Sequence, residues 1–193
     1  MLDLDYTLVC SSFNPINIYD NGIRKQNKVT AKFDNETDST IYFIIRPGLD
    51  EFLQSTSLLY DIIIFTASLK QYASPIIDFI DKNNIIKFRF YREDCRLIDG
   101  KFIKDLKILG KDLKDVIIVD DNVYSFLLNE NNGIVIRPWM GDIGDIELIK
   151  LIPLLEFLAK KDDVREIIKE LINNKGEINH DKFDIIFNKE RNH

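Results

Sequence analysis

Three apolar stretches of this sequence each end in a short group of acidic or hydroxyl side chains. Four carboxylates gathered in one place would repel one another strongly unless a positive charge lay among them. A divalent cation with oxygen ligands meets that need, and Mg²⁺ is the usual one beside phosphate. The residue types therefore indicate phosphate chemistry, provided that the fold brings the groups together. The groups are Asp3 with Asp5, Thr66 with Ser68, and Asp120 with Asp121.

The apolar stretches before two of these groups have the pattern of strands in a parallel sheet. Residues 60–68, YDIIIFTAS, and residues 115–121, DVIIVDD, contain continuous apolar runs, and residues 133–138 form another. Such runs are typical of strands that are buried on both faces of a parallel sheet. Ligands bind at the carboxyl ends of these strands, so the sheet would bring the polar groups to one edge.

Three other segments have weaker patterns. Residues 1–9 read as a strand that enters a turn, although the two residues before Asp3 are few for a central strand. Residues 14–28 are predicted to form an irregular loop. Residues 88–91 read as a further strand.

Two hairpins are predicted beside the parallel strands. Residues 29–33 and 41–45 alternate between apolar and polar side chains on either side of the turn-rich DNETDST. Within residues 95–103, Asp99-Gly100 is a strong signal for a type I′ turn.

Helical segments alternate with the predicted strands, which indicates an α/β fold with a parallel sheet flanked by helices. One helix could begin at Pro47, with acidic residues in its first turn. A second could run from Ser74, where a Ser-Pro pair can start a helix, to about Lys82. Apolar residues at helical spacing predict two more, over residues 147–160 and 164–172.

Composition limits the classes of function. A chain of 193 residues that is 45% hydrophobic suits one globular domain, with or without an appendage. A net charge of -6 argues against a nucleic-acid partner, although basic residues within 101–114 leave an anionic ligand open. Cys10 and Cys95 have no CxxC spacing, which argues against disulfides and zinc and fits a reducing, intracellular compartment, nuclear or cytoplasmic. Since the apolar runs are short and no signal peptide is visible, no membrane segment is expected in this chain.

Each of these features has an ordinary explanation when taken alone. Acids such as Asp3 and Asp5 often end a strand at the surface, and hydroxyl residues often cap helices. A double Asp before Asn122 is often a turn, and a single lysine such as Lys104 is usually solvated. The order of these residues, and their positions at strand ends, are what favour a shared site.

Taken in order, the motifs resemble those of the haloacid dehalogenase superfamily. The closer resemblance is to the small C-terminal-domain phosphatases and the Dullard-like proteins, also called NLI-interacting-factor-like phosphatases. It runs from residue 2 to about residue 168, which predicts a catalytic domain over residues 1–168 and a C-terminal tail over residues 169–193. Apolar residues within 183–187 of this tail could form a short docking helix or a partner site. The matching segments are LDLDYTLVCSSF, RPGLDEFL, LLYDIIIFTASLKQYASPIIDFID, FYREDC, KFIKDL, VIIVDDN, and DDV at 162–164.

The resemblance implies a Rossmann-like parallel sheet with β-hairpin insertions, and phosphoryl transfer in two steps through an aspartyl-phosphate. Asp3 matches the nucleophile, whose attack on phosphorus divides the hydrolysis into two easier steps. Asp5 matches the general acid/base, which would protonate the departing oxygen and then activate water. Thr66 matches a residue that binds a phosphoryl oxygen. Lys104 matches the cation that offsets the charge of the nucleophile and the phosphoryl group.

The resemblance also implies a Mg²⁺ site formed by the acids. Asp3 and Asp121 match metal ligands, and Asp120 is expected to support the metal directly or through water. Asp5 would contribute its backbone carbonyl. The hypothesis requires residues 3 and 121 to lie within about 5.4 Å of each other, the length of one helical turn.

At two positions this sequence differs from many small C-terminal-domain phosphatases. Asp121 stands where they often have Asn, whereas larger relatives carry the double Asp of this chain. Tyr6 stands where many relatives have Glu. The second change is expected to alter local packing and to leave activity intact.

Four residues are candidate substrate contacts. Arg92 matches a family position near the substrate phosphate or peptide, and Ser68 lies in the polar group after its strand. Phe13 and Tyr72 match aromatic positions that line a groove for a proline of the peptide. An aromatic groove favours a rigid, proline-containing peptide because little entropy is lost on binding. A surface ion pair is the ordinary explanation for Arg92, and core packing is the ordinary explanation for the two aromatic residues.

The leading interpretation is a Mg²⁺-dependent protein serine/threonine phosphatase that acts on a phosphorylated protein or peptide, such as the RNA polymerase II tail. One alternative is a non-catalytic peptide-binding module of the same fold, as in the mitochondrial translocase receptor branch. The intact acids, Thr66 and Lys104 argue against that alternative. Another is a phosphatase for a small metabolite, against which the open cleft and the aromatic positions argue.

Overall fold

Short strands build the sheets of this protein, and helices follow several of them along the chain. The computed structural model describes residues 1–16, 26–33, 38–173 and 177–191. Its strands are β1 (Val9–Ser12), β2 (Asn27–Lys32), β3 (Asp38–Ile45), β4 (Ile62–Phe65), β5 (Ile86–Phe90), β6 (Arg96–Ile98), β7 (Lys101–Ile103), β8 (Ile118–Asp120) and β9 (Gly133–Val135). Its α-helices are α1 (Leu49–Ser57), α2 (Lys70–Ile80), α3 (Glu147–Leu158), α4 (Val164–Leu171) and α5 (His180–Arg191).

A parallel sheet joins two pairs of strands through one residue near the N-terminus. β4 pairs with β5, and β8 pairs with β9, both in parallel. Leu2 forms parallel bridges to Ile64 of β4 and to Val119 of β8. The order across the sheet is therefore β5, β4, Leu2, β8 and β9. This arrangement confirms the parallel sheet predicted from the apolar runs.

The first strand is shorter than the sequence predicts. Residues 1–9 read as one strand, but the chain pairs with the central sheet at Leu2 and then turns. Val9 donates its backbone N–H to the carbonyl of Leu4 at 3.1 Å, and Tyr6 has a φ of 61°. The turn redirects the chain, so β1 begins at Val9 and enters a different sheet.

An antiparallel sheet of three strands accompanies the parallel sheet, with the order β1, β3, β2. The pairing of β2 with β3 confirms the first predicted hairpin, whose turn at residues 34–37 lies outside the described residues. β2 begins at Asn27, inside the segment predicted as a loop, and residues 17–25 of that segment also lie outside the described residues.

β6 and β7 form the second predicted hairpin. The residues between them, Asp99 and Gly100, have φ values of 48° and 75°. A type I′ turn requires positive φ at both central residues, as observed here. The second strand of this hairpin leads directly to Lys104.

α2 begins earlier than the sequence predicts. The Ser-Pro pair predicts a start at Ser74, but the helix begins at Lys70 and contains Pro75 in its interior. The carbonyl of Leu69 accepts the backbone N–H of Ala73 at 2.9 Å, which forms the first turn. Burial of one helix face outweighs the local Ser-Pro signal. The buried face comprises Ala73, Ile76, Ile77 and Ile80.

α1 begins at Leu49, two residues after Pro47. Gly48 precedes it with a φ of 79°, a left-handed conformation that glycine adopts at little cost. A Cβ atom at this position would lie 2.7 Å from Cδ1 of Ile149 in α3. The glycine therefore provides both the backbone turn and the close approach of α1 to α3.

The later helices complete the apolar core. α3 and α4 confirm the helices predicted over residues 147–160 and 164–172. In α5, the buried Phe183 has its ring centroid 5.8 Å from that of Phe157 in α3. The division at residue 168 into a catalytic domain and a tail stays a prediction. Among the described residues, no helix combines the length and the apolar character that crossing a bilayer requires.

Candidate active site

Three carboxylates from two distant parts of the chain meet at the carboxyl end of the central sheet. We call Asp3, Asp120 and Asp121 the carboxylate cluster, because each has an oxygen within 4.8 Å of the others. Asp3 follows Leu2 in the sheet and donates its backbone N–H to the carbonyl of Val119 at 2.9 Å. The spacing of residues 3 and 121 lies within the distance that the sequence hypothesis requires, while the roles of these residues stay predictions.

A buried ammonium group lies between two of these acids. Nζ of Lys104 donates to the carboxylate of Asp3, and also to Oδ2 of Asp120 at 2.6 Å. All three side chains are buried. The backbone N–H of Lys104 donates to the carbonyl of Ser125 at 2.6 Å, which fixes the position of the lysine after β7.

Burial and mutual repulsion shift the acidity of the cluster. Burial raises the pKa of Asp3, the Lys104 ammonium opposes that rise, and the Asp120 carboxylate adds to it. Burial, with a contribution from the charge of Asp120, raises the pKa of Asp121 to about 6. Burial alone would lower the pKa of Lys104, but the two carboxylates raise it above its usual value. The lysine therefore stays charged, and a further positive charge would favour the ionised acids.

The cluster has the composition of a site for a hard divalent cation. Its ligand atoms are carboxylate oxygens, and the single ammonium is bonded to two of the three acids. Mg²⁺ prefers such oxygens, whereas zinc favours the His and Cys ligands that this group lacks. Asp3, Asp120 and Asp121 therefore fit a Mg²⁺ ion, and they are the residues that would hold it.

The carboxylate of Asp5 has a different set of partners. Its Oδ1 accepts hydrogen bonds from Ser11 Oγ at 2.7 Å and from Tyr72 OH at 2.9 Å. Its Oδ2 accepts from Ser68 Oγ at 2.8 Å. The structure thus brings together the predicted residues Asp5, Ser68 and Tyr72, beside the carboxylate cluster.

The turn that follows Asp5 is held by residues from distant segments. The guanidinium of Arg46 donates to the carbonyl of Thr7 at 3.1 Å and forms a buried ion pair with Asp145 at 2.8 Å. The backbone N–H of Trp139 donates to the carbonyl of Tyr6 at 2.8 Å. Burial acts to raise the pKa of Asp145, but Arg46 holds that pKa below its usual value.

Thr66 lies at the same edge of the sheet as the carboxylate cluster. Its neighbour Phe65 donates a backbone N–H to the carbonyl of Leu2 at 2.9 Å, one residue before Asp3. The Thr66 side chain is buried, and its Oγ1 accepts the backbone N–H of Ser68 at 3.0 Å. The structure therefore places the predicted phosphate-binding hydroxyl next to the predicted nucleophile along the sheet.

The predicted substrate contacts form a more exposed surface. The ring of Phe13 is 56% exposed, with its centroid 5.9 Å from Tyr72 and 6.2 Å from Phe33. We call these three rings the aromatic slot. Arg92 donates from Nε to the carbonyl of Ala67 at 2.7 Å, and its guanidinium stacks 4.9 Å from the ring centre of Phe102.

Sequence reasoning missed four residues that support this site, namely Ser11, Arg46, Asp145 and Trp139. Ser11 had a local signal, since it lies six residues after Asp5 across a turn. Arg46 begins the matching segment RPGLDEFL, but its pairing with Asp145 had no signal, because 99 residues separate them.

A cavity of about 460 Å³ lies at the opposite edge of the sheet, by the amino ends of β4 and β8. None of the predicted site residues lines this cavity. This cavity is therefore separate from the residues of the carboxylate cluster.

Comparison with known proteins identifies the family of this chain. Residues 1–165 match the family model described as NLI interacting factor-like phosphatase. The chain is 41% identical over 174 residues to a "Probable C-terminal domain small phosphatase" of Dictyostelium discoideum, covering 90% of this chain and 55% of that protein. It is 39% identical over 173 residues to a human "CTD small phosphatase-like protein", covering 90% of this chain and 60% of that protein. The chain thus spans little more than half the length of these relatives.

A solved structure shares the fold. Fission yeast RNA polymerase II CTD phosphatase Fcp1, as a variant bound to beryllium fluoride, superposes with a TM-score of 0.60. The two chains are 22% identical, and the match covers 88% of this chain and 53% of that one. The likeness confirms the predicted haloacid dehalogenase type of α/β fold. Because the family model covers residues 1–165 of 193, as the motifs predicted, the chain belongs to the NLI interacting factor-like phosphatase family.

Proposed function

We propose that this chain is a Mg²⁺-dependent protein serine/threonine phosphatase that works through an aspartyl-phosphate on Asp3. The observation that carries the proposal is the carboxylate cluster with the buried ammonium of Lys104. Burial of several charges costs stability, and such groups are concentrated at functional sites. Membership of a phosphatase family supports the same interpretation.

The proposed reaction uses the two acids of the DxD motif in turn. In the first step, an oxygen of Asp3 attacks phosphorus, and the bond from phosphorus to the serine or threonine oxygen breaks. The leaving oxygen keeps the electron pair of that bond and takes a proton from Asp5. In the second step, Asp5 removes a proton from water, whose oxygen attacks phosphorus. The bond from phosphorus to Asp3 then breaks, which releases phosphate and restores the carboxylate.

The other residues of the site position the reacting groups and balance their charge. Lys104 holds the carboxylate of Asp3 and offsets negative charge as the phosphoryl group approaches. The hydroxyl of Thr66 accepts from Ser68 and remains able to donate to a phosphoryl oxygen. A Mg²⁺ ion held by the carboxylate cluster would supply further positive charge for the phosphoryl oxygens.

For the substrate, we propose phosphoserine or phosphothreonine in an extended, proline-containing peptide of the RNA polymerase II tail type. Relatives from mouse and human are named as RNA polymerase II polypeptide A small phosphatases. The aromatic slot offers the exposed ring of Phe13 beside the half-buried rings of Tyr72 and Phe33, and aromatic grooves of this kind bind proline-rich peptides. Arg92 donates to the backbone carbonyls of Ala67 and Ser68, and Ser68 in turn donates to Asp5, so its guanidinium would supply a cation for a phosphate near that acid.

Hydrolysis of 4-nitrophenyl phosphate in the presence of Mg²⁺ tests the enzymatic part of this proposal. Asp3→Asn removes the nucleophile with little change of shape, so kcat should fall about a thousandfold or more. Asp184→Asn on the exposed surface of α5 makes the same chemical change away from the site, and should retain wild-type activity. Thermal melts of both variants establish that each is folded.

A panel of phosphopeptides tests the proposed substrate and separates the alternatives. Preferential hydrolysis of peptides with proline beside the phosphorylated residue is expected. Tight binding of peptides without any turnover would instead favour a non-catalytic binding module. Rapid turnover of small phosphorylated metabolites, with none of peptides, would favour a metabolite phosphatase.

A further inference from the structure

Three hydroxyl groups hold the carboxylate of Asp5. Ser11 of β1 and Tyr72 of α2 both donate to Oδ1, at 2.7 and 2.9 Å. Ser68, in the loop after β4, donates to Oδ2 at 2.8 Å. The hydroxyl oxygens of Ser11 and Tyr72 also contact each other, so the two protons of this pair are shared among three contacts. Three separate elements therefore converge on one carboxylate.

The backbone around Asp5 does not by itself aim this side chain along the sheet. The chain leaves the central sheet after Leu2, and Tyr6 adopts a φ of 61° immediately after Asp5. Strand alternation therefore gives no fixed direction to the carboxylate. Because donors occupy both of its oxygens, the hydroxyl groups determine the plane and direction of the carboxyl group.

Tyr72 connects this arrangement to the aromatic slot. Its ring lies 5.9 Å from that of Phe13, while its hydroxyl donates to Asp5. The residue identified from sequence as a groove aromatic thus has a second contact, with the predicted acid/base.

We propose that Tyr72 and Ser11 are positioning residues that aim the Asp5 carboxyl group at the leaving oxygen of the substrate. This inference rests on the proposed phosphatase function, adds Ser11 to it and gives Tyr72 a second role. When the bond from phosphorus to the leaving oxygen breaks, that oxygen keeps the electron pair and takes the Asp5 proton. A misdirected Asp5 delivers this proton less well, although the nucleophile and the carboxylate cluster remain in place.

The need for that proton depends on the leaving group. A serine alkoxide is a far stronger base than 4-nitrophenolate, so its departure depends much more on proton donation. Loss of a positioning residue should therefore slow the poor leaving groups most. A variant that disturbed the fold of the site would instead lower the rate for every leaving group by a similar factor.

The experiment compares kcat/KM for a phosphoserine peptide and for aryl phosphates from 4-nitrophenyl to phenyl phosphate. The value of kcat/KM includes the step in which the leaving-group bond breaks, and excludes later hydrolysis of the aspartyl-phosphate. Tyr72→Phe keeps the ring in the slot and removes the hydroxyl, and Ser11→Ala removes the second donor. Both should lower kcat/KM for the peptide and for phenyl phosphate about tenfold, the factor expected for loss of a neutral hydrogen bond at the upper end of its usual strength. The value for 4-nitrophenyl phosphate should fall less than about threefold, because this leaving group needs little proton donation.

Two further variants separate positioning from folding. Ser11→Thr restores a hydroxyl in a β-strand and should recover most of the loss. Tyr60→Phe deletes a hydroxyl that donates to the carbonyl of Leu155 at 2.6 Å, away from the site, and should keep the wild-type dependence on leaving group. Thermal melts give the stability lost by each variant.

An equal loss for every leaving group in Tyr72→Phe and Ser11→Ala would overturn the positioning role and leave the phosphatase proposal standing. An unchanged kcat/KM in both variants would also overturn the positioning role and leave the phosphatase proposal standing. A wild-type chain that hydrolyses none of these substrates would overturn both proposals together.

Discussion

Lys104 carries the positive charge that allows two carboxylates to lie buried side by side. Its ammonium is bonded to Asp3 and Asp120, and all three side chains are buried. Removing one partner of a buried charged group leaves the others without compensation, which costs more than the interaction contributes. The same residue is therefore expected to support both the stability of the site and the reaction.

Substitution of Lys104 separates these two contributions. Lys104→Met should lower the free energy of unfolding by about 3–5 kcal/mol, because two buried carboxylates lose their cation. Urea denaturation with a chelator present measures this loss without any contribution from a bound cation. Lys150→Met, which breaks an exposed pair with Glu147, serves as the control and should cost about 0.5 kcal/mol or less. Equal losses in the two variants would contradict the role assigned to the buried ammonium.

At the scale of elements, the turn after Asp5 is the part of the site that most depends on distant contacts. Arg46 at the end of β3 reaches the carbonyl of Thr7 and is held by Asp145. The backbone N–H of Trp139 donates to the carbonyl of Tyr6, the residue before Thr7. The residue after β3 and the loop between β9 and α3 thus fix the turn between Asp5, the proposed acid/base, and β1.

The buried pair of Arg46 and Asp145 predicts a dependence of stability on pH. The folded pKa of Asp145 lies below its usual value, so its contribution is fully present above the unfolded pKa of about 4. That contribution is lost as the pH falls through the lower, folded pKa. Asp145→Asn should therefore destabilise the protein by about 3–5 kcal/mol at pH 7, with a smaller difference from wild type below about pH 4.

Urea titrations of wild type and Asp145→Asn between pH 3 and pH 7 measure this difference. Asp163→Asn alters a more exposed aspartate–arginine pair and retains a residue suited to cap α4, so its effect should be much smaller. A cost for Asp145→Asn that stays constant across this pH range would show that the ion pair is not its source.

At the scale of the whole molecule, the carboxylate cluster joins the N-terminal segment to the end of β8. A cation bound by both segments binds the folded chain in preference to the unfolded one, and therefore stabilises the entire fold. Mg²⁺ at a concentration a hundredfold above its Kd should raise the free energy of unfolding by about 2.7 kcal/mol.

Unfolding monitored with and without MgCl₂ measures this effect. Asp121→Ala removes one acid of the cluster without touching the Lys104 contacts, and should abolish most of the gain. A titration with NaCl at matched ionic strength is the control for general screening. An equal gain from NaCl, or a full gain in Asp121→Ala, would argue against a cation at this cluster.

The sequence could predict the part of the site that lies at the carboxyl ends of the parallel strands. Thr66 and Asp120 end apolar runs, Asp3 follows the short segment Met1-Leu2, and parallel strands bring these carboxyl ends to one edge. The partners of Asp5 and of Arg46 could not be derived in this way, because they depend on how a turn, a helix and distant loops pack together. The predicted start of α2 at Ser74 was wrong for a related reason. The helix begins at Lys70, because burial of Ala73 outweighed the Ser-Pro signal.

The three residues from Met1 to Asp3 bond to both halves of the central sheet. Leu2 donates to the carbonyl of Ile63 and accepts from Phe65, while Val119 exchanges hydrogen bonds with Met1 and Asp3. Any sliding of one half past the other would have to break some of these four bonds. Main-chain hydrogen bonds of the central sheet therefore fix the alignment of Asp3, the proposed nucleophile, relative to Thr66 and Asp120.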